Sequence, residues 1–381
     1  MICKLLIVGE AWGSEEERRS LARGKPSPFV GKAGWFLRTS LTIANILPPP
    51  LTTKYPGPLG MEREWDLAAQ RGIWVTNAFQ CRPSTDSNDI EGLLGDKRAN
   101  SDHLLLTKPP LRPSLFLRKE HEHHLHRLSA LIDELKPNLI ILLGETALWA
   151  LTDHTGVGKA RGSIISLPPA PKILPTFHPT TIFRRWNLRV HFLADLLKAS
   201  REMESPIFDR RDRQISHSPE SPTELWDWWN ANKTSQLLSV DIETEANRWV
   251  SEVGIAVSET KALHVPLLVR PVKGGPIYPY WKNPTDEART WLFLKHVLEQ
   301  PNQTPITIVG QNFLYDIQYL LRVAPVPGGI RVRGFRHDTM LEHHALYPGL
   351  EKSLGFMASV YCNEPYWKDI RQKGGKEEGE E

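Results

Sequence analysis

Three polar residues stand just past short apolar runs: Glu10 after Leu5-Leu6-Ile7-Val8-Gly9, Asn77 after Ile73-Trp74-Val75-Thr76, and His178 after Ile173-Leu174-Pro175-Thr176-Phe177. A carboxylate can steady positive charge or activate water, an amide offers a donor and an acceptor to a planar edge, and an imidazole can donate to a developing anion. Each residue also has a plainer account, as a solvated acid, a cap for the next segment, or a turn former ahead of Pro179. Their repeated placement favours a shared role. If the runs are parallel strands, all three groups emerge on one sheet edge, where open α/β sheets bind ligands.

A second constellation lies downstream in Leu237-Leu238-Ser239-Val240-Asp241-Ile242-Glu243-Thr244. Strand periodicity puts Asp241 and Glu243 on one face, and two carboxylates so placed repel unless a cation sits between them. Further on, Val309 to Asp316 reads as the opening of a helix on which Asn312 and Asp316, four apart, share a face. The pattern is that of a divalent metal site.

The elements needed to position these groups are legible as alternating patterns. Strands are expected at Lys4 to Val8, Ile73 to Thr76, Leu139 to Leu143 and Ile173 to Thr176. Helices are expected near Lys32 to Ala44, His121 to Leu135, Glu145 to Leu151 and Val190 to Lys198. Continuous apolar strands alternating with helices predict a parallel sheet covered on both faces. Pro48 to Gly60 and Ser84 to Pro113 read as long loops. Residues 205–235, rich in charge and proline, read as a linker with a short helix carrying Trp226, Trp228 and Trp229, either a docking face or core. In the second half, Val253 to Val257 and Ala262 to Pro266 form an expected antiparallel pair.

A chain of 381 residues with ordinary apolar and charged fractions can bury two cores. The amino terminus lacks the features of a signal peptide, and no apolar run reaches membrane-spanning length, so a cytoplasmic location without membrane association is expected. Three scattered cysteines, Cys3, Cys81 and Cys362, argue against a disulfide framework. A net charge of +3 does not by itself identify a nucleic-acid partner. Imidazoles crowd His121-Glu122-His123-His124-Leu125-His126, where pairs spaced three apart share a helix face; solvent exposure or adventitious metal binding is the simpler account.

Four segments in order carry a resemblance: Gly9-Glu10-Ala11-Trp12-Gly13-Ser14-Glu15-Glu16, Pro28-Phe29-Val30-Gly31-Lys32-Ala33-Gly34, Val75-Thr76-Asn77 with Cys81-Arg82-Pro83, and Phe177-His178-Pro179-Thr180. Together they resemble the motifs of family 4-like uracil-DNA glycosylases. The resemblance implies hydrolysis of the bond between uracil and deoxyribose, with Glu10 and His178 catalytic and Asn77 reading the base. It also implies that Phe29 stacks on the extruded base and that Glu16, at a second acidic position of the family, is catalytic, although packing for the one and a solvated face for the other explain the residue types equally. Ile182, Phe183, Arg184 and Arg185 read as an apolar wedge backed by phosphate-binding cations, or else as a surface loop; Lys159, Arg161, Arg189 and Arg201 could extend the basic surface. Many members hold an iron–sulfur cluster on four cysteines, and this chain matches one of those positions, Cys81, so no cluster is expected. Trp12 stands where proline is usual.

The second half resembles the 3′–5′ exonuclease domain of family A DNA polymerases. Asp241-Ile242-Glu243, Asn312 to Asp316, His337-Asp338-Thr339-Met340-Leu341, Tyr347-Pro348-Gly349-Leu350 and Lys352-Ser353-Leu354 carry that likeness. It implies a ribonuclease H-like α/β fold and Mg2+ or Mn2+ held by Asp241, Glu243 and Asp316, with Asn312 in support. The family's last motif, a tyrosine four residues before an aspartate, is missing; Tyr366 and Asp369 are three apart, and residues 372–381 form a polar tail.

The expected organisation is therefore an α/β chain with a glycosylase-like domain over 1–204, the linker over 205–235 and an incomplete exonuclease-like domain over 236–371. The expected partner is DNA, single-stranded for the second half, with replication proteins beside it in a bacterial or virus-infected cell. Two other readings remain open: a non-catalytic DNA-binding accessory, and a metal-dependent exonuclease with a degenerate glycosylase half.

Overall fold

The computed structural model describes residues 2–84, 90–99, 101–165, 171–208, 212–216, 218–233, 237–246, 248–272, 274–300, 306–334 and 336–362. The chain divides into two compact units, one of residues 1–209 with 358–367, the other of 210–357 with 368–381.

The first unit is built on a four-stranded parallel sheet of β1 (Leu5–Gly9), β2 (Ile73–Asn77), β5 (Leu139–Leu143) and β6 (Lys172–Thr176), in the order β2-β1-β5-β6. Alternate residues of β1 enter different cores. Leu5 and Ile7 pack with α2 (Lys32–Ile43), α3 (Gly57–Ala69) and α8 (Arg189–Glu202), whereas Leu6 and Val8 pack with α4 (Glu122–Leu135) and α5 (Glu145–Thr152). Both faces of the sheet are thus covered, which is why β1, β5 and β6 are buried throughout.

The remaining elements of this unit are α1 (Ser14–Arg23), β3 (Leu94–Asp96), β4 (Leu115–Leu117), α6 (Val157–Ala160) and α7 (Pro179–Arg184). Two stretches expected as loops are partly regular. Pro58 enters the first turn of α3, where its missing N–H costs no helical hydrogen bond, so the helix begins inside the proline-rich run. Leu94–Asp96 pairs antiparallel with Leu115–Leu117 and folds the long insertion back on itself.

The second unit holds a mixed sheet of β7 (Gln214–Ser216), β8 (Leu237–Glu245), β9 (Trp249–Ala256), β10 (Lys261–Pro266), β13 (Thr307–Gly310) and β14 (Arg336–Asp338). Its order is β14-β13-β8-β9-β10-β7, with β8, β9 and β10 an antiparallel meander and β13 and β14 parallel to β8. Around it lie α9 (Pro222–Asn232), the short pair β11 (Leu268–Val269) and β12 (Tyr278–Pro279), α10 (Pro284–Glu299), α11 (Leu314–Arg322) and α12 (Thr339–Leu346). A last helix, α13 (Leu354–Tyr361), begins in this unit, and its residues from Ala358 onward cluster with the first.

The stretch expected as a linker supplies β7, which pairs with β10, and α9. Its tryptophans serve this unit's core: Trp229 is buried, and the Trp226 ring meets Phe293 edge-on at 5.2 Å. Tyr366, Asp369 and the tail 372–381 lie outside the described residues. No helix among the described residues is long and apolar enough to cross a membrane.

Candidate active site

All four strands of the parallel sheet end at the same edge, where Glu10, Asn77 and His178 stand at or just past the ends of β1, β2 and β6. Gly9 lies at that edge. A Cβ at that position would stand 2.4 Å from both Asn77 Oδ1 and Phe29 Cζ, so the close approach of amide and ring to the backbone requires glycine. The Phe29 ring lies 6.1 Å from that of His178, centroid to centroid. On the other side, Gly144, at φ 88°, lets His178 Cβ approach to 3.0 Å of where its own Cβ would be. Two residues on, Thr146 Oγ1 donates to Glu10 Oε2 at 2.5 Å. Gly9 thus lets amide and aromatic ring meet at the backbone, and Gly144 lies between the imidazole and the threonine that holds the Glu10 carboxylate.

Asn77 is buried, yet its amide nitrogen has no hydrogen-bond partner among the described residues. A buried amide nitrogen without a protein partner has hydrogen-bonding capacity left for water or a ligand. Its backbone is fixed from behind: the Arg127 guanidinium of α4 donates to Asn77 O at 2.6 Å and to Ala78 O at 3.3 Å.

His178 caps α7, its Nδ1 accepting from the Thr180 N–H at 3.3 Å and meeting Thr180 Oγ1 at 2.8 Å. With Nδ1 the acceptor, the ring proton belongs on Nε2. Burial, reinforced by Arg184, pushes the imidazole down to about 4, so it is neutral near pH 7.

Phe29 is buried and holds a positive φ of 55°, a conformation uncommon for a residue with a large side chain. Three contacts impose it. Its N–H donates to Glu16 Oε1, its carbonyl accepts from Trp65 Nε1 at 3.0 Å, and Gly34 leaves room for that carbonyl. The second carboxylate oxygen of Glu16 accepts from the Gly13 N–H at 2.6 Å. Burial pushes Glu16 up to about 7 against those two donors. Its carboxylate thus holds the Phe29 loop and is not the solvated charge that the acidic run suggested.

Past His178 the wedge segment separates into two parts. Ile182, expected at its tip, is wholly buried in the first unit's core, because α7 packs against α2 and turns that residue inward. The exposed face presents Phe183, Arg184, Arg185 and Trp186, with Phe183 edge-on to Phe36 at 5.4 Å. Arg161, counted with the basic surface, is also buried, where it forms a bidentate pair with Asp195. Asp195 Oδ2 accepts in addition from Thr176 Oγ1 at 2.6 Å, at the end of the strand that launches His178. Sequence patterning gave no sign of this network, since its members are 34 and 19 residues apart.

Four thiolates for an iron–sulfur cluster do not assemble here. Of the chain's three cysteines, Cys3 is buried at the start of β1 and Cys362 is exposed beyond α13, while Cys81 stands with His121 and His124. The residues present do not fit that cluster. His124, within the imidazole-rich run expected at the surface, is buried; burial, then His123, His121 and Arg127, push it down to about 4.

In the second unit, Asp241 and Glu243 do lie on the strand face opposite the buried Val240 and Ile242. Asp316 is buried, and its Oδ1 accepts the Ile242 N–H at 2.9 Å. Burial and, less strongly, Asp241 and Asp338 push Asp316 up to about 6 against that hydrogen bond. Among the described residues, however, no group containing Asp241, Glu243 and Asp316 brings three ligand atoms within 4.8 Å of one another. Asn312 is not on the helix. It precedes α11 in the left-handed region at φ 53°, because Asp338 captures its N–H at 3.0 Å and that of Phe313 at 2.8 Å. These residues do not fit a preformed two-metal centre.

Residues 3–200 match the model of the uracil DNA glycosylase superfamily. Over 200 residues the chain is 26% identical to a protein named type-4 uracil-DNA glycosylase from Thermotoga maritima, an alignment covering 51% of this chain and 76% of that relative. The matched span contains β1, β2, β5 and β6 with Glu10, Phe29, Asn77 and His178, and as it takes in more than half of the 381 residues, the chain belongs to the uracil DNA glycosylase superfamily.

Proposed function

We propose that the first unit excises uracil from DNA by hydrolysing the N-glycosidic bond, with Glu10, Asn77 and His178 as the working residues. The observation that carries this reading is the buried, partnerless amide nitrogen of Asn77, set over Gly9 beside the Phe29 ring. An extruded uracil offers a carbonyl to that donor and an N–H to the amide oxygen, and its flat face suits the aromatic ring. Departure of the base leaves an oxocarbenium-like sugar and a uracil anion. Glu10, steadied by Thr146, supplies negative charge beside the sugar and orients water. The neutral His178 donates from Nε2 to the uracil oxygen on which charge collects.

Phe183, Arg184, Arg185 and Trp186 form the face that meets DNA. The aromatic groups occupy the gap left by the extruded nucleotide, and the guanidinium groups contact phosphate. The second unit is read as a DNA-binding module on the motif resemblance of its Asp241–Glu243 and Asn312–Asp316 segments, while among the described residues its carboxylates do not converge as a metal site. It retains single-stranded DNA in a groove and contributes little cleavage.

The test is a labelled oligonucleotide with one uracil, incubated with the full chain and then treated with alkali. Strand scission only after alkali is expected, and Glu10→Gln should slow it by about 10²–10³-fold, the range for losing a transition-state electrostatic contact. No alkali-labile site with either single- or double-stranded substrate, despite retained DNA binding, would replace the glycosylase with a non-catalytic accessory.

A further inference from the structure

The loop after β2 and the start of α4 bring together a thiol and two imidazoles. Cys81 Sγ and one ring nitrogen each from His121 and His124 all lie within 4.8 Å of one another. Local structure explains half of this. His121 is the N-cap residue of α4 and His124 lies three residues further on the same face, so the rings stand 6.1 Å apart and 13° from parallel. Cys81 comes from forty residues earlier, held where its carbonyl accepts the Trp12 N–H at 3.1 Å. The cluster is sheltered: His124 is buried with Phe79 edge-on to its ring at 5.8 Å, and Cys81 and His121 are half-buried. Glu120 Oε1 lies 3.5 Å from His121 Nε2, the kind of carboxylate partner that orients a ligating imidazole.

We propose that Cys81, His121 and His124 bind one Zn2+, with a water molecule completing the tetrahedron. One thiolate and two imidazoles are a donor set that zinc accepts readily, and three protein ligands with an open fourth position are an established zinc geometry. Ligand atoms around such an ion stand roughly 3.5 Å apart, given bonds of about 2.0–2.3 Å, so small side-chain rotations close the site. On binding, the Cys81 thiol releases its proton to solvent and the two imidazoles bind as neutral rings. The ion takes the place of the four-thiolate cluster that these residues do not fit.

Whatever occupies its fourth position, the ion ties α4 to the loop after β2. Arg127, three residues beyond His124, already ties α4 to the carbonyls of Asn77 and Ala78. A metal at Cys81 adds a second tie between the same helix and the same loop, so that both ends of the segment behind the base-reading amide are fixed. This assignment is independent of the proposed reaction, because its readouts are metal content and sulfur coordination.

The test uses the full chain without an affinity tag that binds metal. Elemental analysis of the purified protein should give one zinc per chain, and Cys81→Ser and His124→Asn should each lose it. A second measurement stands if those variants do not fold. In a chain carrying Cys3→Ala and Cys362→Ser, Co2+ added after zinc removal should produce a thiolate-to-cobalt charge-transfer band at one equivalent, for which Cys81 is the one remaining sulfur ligand among the cysteines. Iron with acid-labile sulfide, zinc content unchanged by both ligand variants, or no charge-transfer band on cobalt addition would each overturn the assignment.

Discussion

His178 is the residue whose protonation state most constrains the proposed chemistry. Held at about 4 by burial and Arg184, against an ordinary value of 6.5, it stays neutral through the physiological range. Excision should therefore persist as pH falls through 6.5 and decline only toward 4. Single-turnover rates on a uracil oligonucleotide measure this, and a rate that collapses near 6.5 with the protein still folded would rule out a neutral imidazole donor. The stability consequence has a definite sign. Because the folded value is depressed, His178 takes nothing from stability above 6.5 but costs increasingly as pH drops toward 4, where the unfolded chain binds the proton and the folded state does not. Glu16 acts in the opposite sense. Its folded value of about 7 exceeds the ordinary 4.5, so its contribution is fully present below 4.5 and is lost as pH rises through 7.

At the scale of elements, the site depends on two devices that place loops without touching substrate. The first is the Glu16 carboxylate, which joins the start of α1 to the Phe29 loop through two backbone donors. Glu16→Gln keeps one acceptor and turns an amide N–H2 toward the other donor, which should cost about 1–3 kcal/mol as one buried group goes unsatisfied. Denaturant unfolding would read that loss, together with a raised KM for the uracil substrate as the Phe29 ring loosens. Unchanged stability and KM would show that the loop holds its shape without this carboxylate. The second device is the buried Arg161–Asp195–Thr176 network beneath the end of β6. Asp195→Ala takes the carboxylate from a buried guanidinium that keeps Ser359 Oγ at 3.1 Å, so a destabilisation of about 3–5 kcal/mol is expected, as for other broken buried pairs. A shift below 1 kcal/mol in the same unfolding experiment would place Arg161 in water, contrary to its burial.

At the scale of the whole molecule, the two units carry chemistry of different completeness. The first leaves the Asn77 amide nitrogen without a partner among the described residues, whereas the second spends Asp338 on capping α12 and holding the Asn312 turn, and Asp316 on the Ile242 N–H. Uracil excision should therefore be indifferent to Asp241→Ala. The wild-type chain should shorten single-stranded DNA from its 3′ end no faster than that variant while still binding it. A labelled oligonucleotide with and without added Mg2+ makes the comparison. Chelator-sensitive shortening that disappears in Asp241→Ala would show that the carboxylates close around metal when DNA is present.

The sequence alone determined the parallel sheet and the edge on which Glu10, Asn77 and His178 emerge, because apolar runs of strand length and the polar residue after each are local properties of the chain. It also fixed which face of β8 carries Asp241 and Glu243, since a strand alternates with period two. Tertiary structure decided which groups remain available. Glu16 looked like one more charge in an acidic run until the Gly13 and Phe29 N–H groups claimed it, and Ile182 looked like a wedge until α7 turned it into the core. Asn312 left its expected helix because Asp338, distant in sequence, captured the backbone N–H groups before it. The clustering of Cys81 with His121 and His124 was equally illegible, for it depends on how the loop after β2 meets α4. Hydrogen-bond partners and ligand sets are chosen by proximity in space across long sequence separations, and hydrophobic periodicity carries no record of that choice.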